Sequence, residues 1–545
     1  MLSLFFKKMK SNWKSGLSVS LVSLPLAVSL SVASNTTPVA GIVTAIWAGF
    51  IASIFGGSNY NIIGPTGALT GILAGYALTY GPASLSMLAI FSGIFIFFAF
   101  LFKLEKYIIL FPSSSIHGFI LGVAGIIILT QLNTALGLTN LTTHESIIKN
   151  TVESFSHISQ ISIPIFIFFL VFLFFLLILP KFISSIPSAI LLSPIAILIG
   201  FLSTKNIFPL ALPTLESKYA NISASLFLPH KFWFSFKFII PSLIIALIAI
   251  IETMISARIA DGMTKTKHNK RREMLGLSLA NIVSGIAGGI PATAALARTA
   301  LNIKTGGNDK LSATLCCVFL LIISIILLPY FKFMPLCAIA AMLVFVAIKM
   351  IEKKHFIRMY KADKKNFLIS ILVAATTIYE DPIVGILLGA TISMLLIMTK
   401  LSEGHFELTE SPLDEKPIDF SNAEKRIQKA NTIIYSIKGK LAYINAQSHL
   451  SRFENNPTPY ENIIFDLKDL YFLDLDGVEV LGEIINILHS QNKTVLISGT
   501  SHFIEKILNE SHEFKVLKVN GLVFTSNYEA LLSLKNKRDY FTGKI

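Results

Sequence analysis

The sequence predicts an α-helical protein that crosses a lipid bilayer about fourteen times, in two sets of seven, followed by a small α/β domain. Three observations carry this: apolar residues gathered in long blocks, basic residues gathered in short loops between them, and two unusual short segments at matching places in the two sets. Of the 545 residues, 53% are hydrophobic and only 14% charged, against roughly 25% charged in soluble domains. The mean hydropathy is +0.68. Blocks such as Ile161–Leu179 reach the length of about 20 apolar residues that a ~30 Å hydrocarbon layer demands.

Hydropathy with Gly/Pro punctuation places the spans near 16–34, 39–56, 62–76, 83–102, 107–135, 160–180, 182–203, 238–262, 274–290, 291–303, 309–328, 332–350, 366–380 and 382–400. Residues 1–15 are basic and amphipathic and read as an interfacial segment ahead of the first span. Residues 16–400 form the membrane domain. Residues 401–430, charged and Pro-containing, read as a connector, and 431–545 as the soluble domain. Within that domain Ile433–Ile437, Ile463–Leu467 and Lys493–Ser498 read as strands and Gly477–Leu488 as an amphipathic helix.

The net charge of +14 is placed, not spread. Cations cluster at Lys7, Lys8, Lys10 and Lys14, at Lys265, Lys267, Lys270, Arg271 and Arg272, and between Lys349 and Lys365. Basic loops beside spans fix orientation, with these loops and both termini in the cytoplasm, and they argue against a nucleic-acid partner. Cys316, Cys317 and Cys337 lie in apolar stretches, and no histidine stands at ligand spacing to them, so neither disulfide, metal site nor cofactor is expected.

The two short segments are Asn61–Ala74 (NIIGPTGALTGILA) and Gly289–Asn302 (GIPATAALARTALN), third and tenth in order. Short, Gly/Pro-interrupted spans at corresponding positions point to a transporter's central site. A helix that begins in mid-membrane presents unpaired N–H groups and a positive dipole end, and two such ends face to face suit an anion. Thr66, Gly67 and Ala68 in the first segment, and Ala294, Ala295 and Leu296 in the second, are therefore candidate substrate-binding residues. Thr70 can add a hydroxyl, and Arg298 a full positive charge near the site. Small residues let an oxyanion approach the backbone.

Glu252 interrupts the apolar eighth span, LIIALIAIIETMISARIADG. An ionisable group there is unfavourable by several kcal/mol and marks function by default. Ser256, one turn on, shares its face. Protonation of Glu252 would admit an anion without charge repulsion, so Glu252 and Ser256 are candidate proton-coupling residues. Arg258 and Asp261, near the span's end, are expected as an interfacial ion pair, and His117 in the fifth span as a hydrogen-bonded structural histidine.

The run ETMISARIADG at Glu252–Gly262, its continuation to PATAALARTALNIKTGG at Gly307, and the earlier GPTGALT together resemble the SulP sulfate-permease family. That resemblance implies a 7+7 inverted repeat with a core of spans 1–4 and 8–11 and a gate of spans 5–7 and 12–14. It also implies anion binding between the starts of spans three and ten, elevator-like alternating access, and a homodimer. Family members carry sulfate, bicarbonate, chloride, oxalate or dicarboxylates. The sodium-coupled bicarbonate carriers have Asp where Glu252 stands and a threonine where Leu296 stands. The missing hydroxyl removes an oxygen ligand for a hard cation, which favours the proton over sodium. The soluble domain resembles the STAS domain that ends most SulP proteins. Its relatives' phosphorylated Asp-Ser-Ser-Gly turn is here Asp474-Leu475-Asp476-Gly477, with no hydroxyl, and Asp474 is placed to cap the following helix.

A secondary transporter of a small inorganic or carboxylate anion, by proton symport or anion exchange, fits these features. An anion channel or voltage-responsive protein on the same scaffold is the alternative, and a nucleobase–cation symporter shares the 7+7 plan but usually lacks the trailing domain. No nucleophile–base pair or phosphate-binding loop suggests an enzyme. The composition points to a bacterial inner (plasma) membrane.

Overall fold

The computed structural model describes residues 2–106, 112–138, 141–142, 146–183, 187–207, 211–219, 225–228, 235–380, 382–402, 405–409, 431–455 and 458–541. The chain divides into two compact units, Met1–Ser393 and Met394–Ile545.

The helices that correspond to the fourteen spans are α1 (Leu2–Ala33), α2 (Pro38–Phe55), α3 (Gly67–Tyr80), α4 (Ser84–Leu101), α5 (Ser113–Thr130), α6 (Ile163–Phe182), α7 (Ser188–Thr204), α8 (Ile239–Thr264), α9 (Lys270–Ile286), α10 (Leu296–Lys304), α11 (Leu311–Phe331), α12 (Leu336–Met350), α13 (Lys364–Tyr379) and α14 (Pro382–Ser402); the division between the units falls within α14. Among the described residues, eight helical stretches are long and apolar enough to cross a membrane. The others are shorter, and α3 and α10 have only 14 and 9 residues.

Packing follows the two-set plan. Helix α1 lies on α11 as α8 lies on α4, α4 on α9 as α11 on α2, and α5 on α13 as α12 on α6. Each pair becomes its counterpart when seven is added to or subtracted from its numbers, which is the signature of an internal repeat. Two groups result, α1–α4 with α8–α11, and α5–α7 with α12–α13. Backbones within the first group approach closely because glycine sits at the crossing: a Cβ on Gly93 of α4 would fall 2.8 Å from the Ser278 carbonyl oxygen of α9.

Helix α1 runs unbroken from Leu2, and Asn12 and Ser15 are fully buried. Asn12 donates to Asn308 Oδ1 at 2.9 Å and Ser15 to Asn302 Oδ1 at 2.6 Å. Asn12 and Ser15 thereby tie the start of α1 to α10 and the loop that follows it.

The second unit has a sheet of β3 (His405–Thr409), β4 (Thr432–Leu441), β5 (Asn462–Asp466), β7 (Thr494–Ser498) and β8 (Val523–Phe524) in that order, with β6 (Leu470–Leu473) also on β4. Helices include Tyr443–Asn455, Leu475–Ser490 and Asn527–Phe541. All pairings are parallel except β3–β4. The three expected strands and the expected helix are present. Asp474 caps Leu475–Ser490 by accepting from Gly477 N at 2.9 Å. Strand β3 lies within 401–430, so the sheet includes residues that their charge had assigned to a connector. Its Leu408 is buried in the domain core, alternating with polar neighbours as a half-buried strand does. The rest of that connector, residues 410–430, lies outside the described residues.

Candidate functional site

The two short segments meet. Pro65 and Pro291 cannot donate main-chain hydrogen bonds, and the chain beside each is extended before it turns helical. Strand β1 (Ile63–Gly64) pairs antiparallel with β2 (Thr293–Ala294), Ile63 opposite Ala294 and Gly64 opposite Thr293. Ala295 N adds a bond to the Ile62 carbonyl at 2.9 Å. Extended backbone at membrane depth survives only where its polar groups are satisfied inside the protein, and this miniature ladder does so. Immediately beyond it α3 starts at Gly67 and α10 at Leu296, so the two helix N-termini flank one point.

A cavity of about 110 Å³ opens at that point. Its lining includes Thr66, Gly67, Ala68, Glu252, Ala295, Leu296 and Arg298. Thr66 is the N-cap residue of α3, yet its hydroxyl makes no cap and instead donates to Glu252 Oε2 at 3.0 Å. The first turn of α3 thus keeps its N–H groups unclaimed by that side chain. Arg298 is buried, and its Nη2 donates to the Pro65 carbonyl at 2.5 Å, packed over Gly64, where a Cβ would stand 3.0 Å from Nη1. This guanidinium ties α10 to the strand that leads into α3 and brings a positive charge to the cavity wall.

Not every sequence candidate faces the cavity. Ala294 is fully buried in β2. Thr70 spends its hydroxyl on the Thr66 carbonyl at 2.9 Å. Ser256, although at the cavity edge, donates to Asn61 Oδ1 at 2.9 Å rather than extending a strip with Glu252. Asp261 pairs with His268 Nδ1 at 2.7 Å, not with Arg258, which is exposed.

Behind the cavity lies a buried polar network that sequence reasoning missed. Glu273, 1% exposed, accepts from Gly57 N at 2.6 Å, Ser58 N at 2.7 Å and Asn61 Nδ2 at 2.6 Å. Thr299 accepts from Ile62 N at 3.1 Å, Asn302 donates to the Tyr60 carbonyl at 3.0 Å, and Thr253 accepts from Ala294 N at 3.2 Å. These side chains from α8, α9 and α10 take up backbone groups that the breaks before α3 and α10 leave without helical partners. The asparagines and threonines of NIIGPTG and ALARTALN were the available signal.

A second, more polar cavity of about 340 Å³ runs along the far half of α3, with Gly75, Tyr76 and Thr79 on one side and Asn133, Lys218 and Glu380 among the other lining residues. The broken helix therefore has open space at both its ends.

The sequence profile of the sulfate permease family matches residues 9–373, and that of the STAS domain matches residues 416–530. The chain belongs to the sulfate permease family. It is 29% identical over 516 residues to YvdB of Bacillus subtilis (strain 168), whose name proposes a sulfate transporter; the match covers 93% of this chain and 94% of the relative. It is 23% identical over 541 residues to the bicarbonate transporter BicA of Picosynechococcus sp., covering 94% and 92%. Among solved structures, murine Slc26a9, described as an anion transporter in the inward-facing state, superposes with a TM-score of 0.80 at 15% identity, covering 97% of this chain and 92% of that one. The transmembrane domain of a cyanobacterial BicA gives 0.62 at 23% identity, covering 70% and 98%. These superpositions show the shared fold, and the profile match gives the C-terminal STAS domain.

Proposed function

We propose that the protein is a secondary transporter of a small oxyanion, of the sulfate or bicarbonate class, which binds where the N-termini of α3 and α10 meet. The observation that carries this reading is the pairing of β1 with β2, which sets two helix N-termini around a cavity that also holds a buried arginine. Thr66, Gly67, Ala68, Ala295 and Leu296 present backbone and hydroxyl donors to the anion, and Arg298 supplies charge. Glu252 is the coupling group. Beside the anion its ionised form repels the substrate, whereas its protonated form can donate a hydrogen bond, so proton and anion move together. Anion exchange is the alternative coupling on the same site. Leu296 offers no oxygen to a sodium ion, which supports the proton.

Cavities at both ends of α3 support alternating access, with α1–α4 and α8–α11 moving as a body against α5–α7 and α12–α14. We infer a homodimer in a bacterial plasma membrane, both termini cytoplasmic, consistent with the basic loops. The names of the relatives support a transporter rather than an enzyme. Counterflow tests the reading: proteoliposomes loaded with unlabelled sulfate, bicarbonate or succinate should accumulate the same labelled anion transiently above equilibrium. Passive conductance without counterflow would point to a channel instead.

A further inference from the structure

We propose that His117, Glu352 and His355 form a binding site for a divalent transition cation of the Zn²⁺ class. His117 lies in the second turn of α5, whereas Glu352 and His355 belong to the start of the amphipathic helix Lys353–Ala362 that follows α12. One potential ligand atom from each of the three lies within 4.8 Å of the others. The two imidazoles stack with centroids 3.7 Å apart and planes at 27°.

Three features suit this cluster to a metal. His355 Nε2 is buried and has no hydrogen-bond partner, so a lone pair or N–H is left without an occupation inside the fold. Glu352 precedes its helix in the capping position yet makes no side-chain cap, so its carboxylate is not committed to the backbone. Two imidazoles and one carboxylate are also a donor set that zinc takes, with a fourth position left for water. Tetrahedral geometry at Zn–N distances near 2.0 Å puts ligand atoms about 3.3 Å apart, which small side-chain rotations would achieve from the observed spacing. The neighbouring Lys353 and Lys354 are exposed and keep their charges in solvent.

The position gives the site a consequence. Glu352 lines the same cavity as Thr66, Glu252 and Arg298, as do Ile116 and Ile120 from the turns beside His117, and Met350 just before Glu352. A bound cation would pin the start of α5 to the segment after α12 and hold one wall of the cavity still. Slowed transport on metal binding rests on the function proposed above; binding itself does not.

Equilibrium dialysis of the full-length protein in detergent against Zn²⁺ alone tests the site. One zinc per chain is expected, weakened roughly tenfold or more in His117→Ala and in His355→Ala, less in Glu352→Gln, and unchanged in His157→Ala. Thermal unfolding without metal checks that each variant folds. Absence of saturable binding, or full binding by the folded histidine variants, overturns the proposal. If those variants do not fold, Co²⁺ on the parent decides: visible bands of a tetrahedral His/carboxylate site support it, and a spectrum like aqueous Co²⁺ overturns it. In proteoliposomes, Zn²⁺ should slow uptake by the parent and not by His355→Ala; zinc that binds without slowing uptake refutes the control of transport alone.

Discussion

Removing the Glu273 carboxylate should unseat the break before α3. The side chain is buried and accepts from Gly57 N, Ser58 N and Asn61 Nδ2, all at 2.7 Å or less. Glu273→Ala leaves Gly57 N and Ser58 N without an acceptor and Asn61 Nδ2 with only the more distant Thr253 carbonyl at 3.3 Å, each change costing about 1–3 kcal/mol. Water reaching part of the gap brings the total to about 3–6 kcal/mol. Unfolding entropy of about 2.1 cal/mol/K per residue, over the 393 residues of the first unit, gives roughly 0.8 kcal/mol/K, so Tm should drop by about 4–7 °C. Glu273→Gln keeps one carbonyl acceptor and should lose about half as much. The assay is thermal unfolding of purified full-length protein in one detergent, parent and variants side by side. A Glu273→Ala variant within about 1 °C of the parent would refute the claim that this network holds the broken helix in place.

Two further perturbations separate site from scaffold. A Cβ on Gly67 would lie 2.9 Å from Ile127 Cδ1 and 3.2 Å from Met350 Sδ; Gly67→Val should therefore crowd the cavity and reduce anion uptake roughly tenfold or more, equivalent to about 1.4 kcal/mol, while leaving the protein foldable. Unaltered uptake would place the anion elsewhere. In the STAS domain the His449 imidazole is pushed down to about 4 by burial and, second, by the Arg452 guanidinium, and its Nδ1 bonds the Tyr435 hydroxyl at 2.8 Å. The unfolded chain takes up a proton near pH 6.5, before the folded one does. Stability is thus full above about pH 6.5 and falls as pH drops toward 4, by an amount on the order of 3 kcal/mol. Hydrogen exchange of residues 431–541 across that range should show the loss; a flat profile would contradict it.

Much of the membrane domain is legible in the sequence because the bilayer allows so few solutions: apolar length fixes spans, and Gly/Pro breaks mark the places where helices may not continue. GPTGALT and GIPATAALART identified both half-helices, and Glu252 stood out by its charge alone. What was hidden depends on contacts between distant segments. Glu273 begins a basic, surface-like helix turn, KRREM, and nothing local says that its carboxylate turns inward to Gly57 and Ser58. His117 and His355 stand far apart in sequence, so no spacing rule joins them. Ser256 shares a helical face with Glu252, but helical periodicity does not say that Asn61 will claim its hydroxyl. Strand β3 escaped because HFELT is short and lies in a charged stretch whose composition outweighs its alternation.

In the proposed function an anion binds at the paired N-termini of α3 and α10 and Glu252 couples its movement to a proton. Uptake of labelled sulfate, bicarbonate and succinate by reconstituted parent and Glu252→Gln protein, at an acidic and an alkaline external pH, tests it most directly. The parent should take up at least one of these anions faster under the inward proton gradient, and Glu252→Gln should lose that pH dependence. A Glu252→Gln protein with the parent's full pH response, or a parent that moves none of the three, would contradict the account.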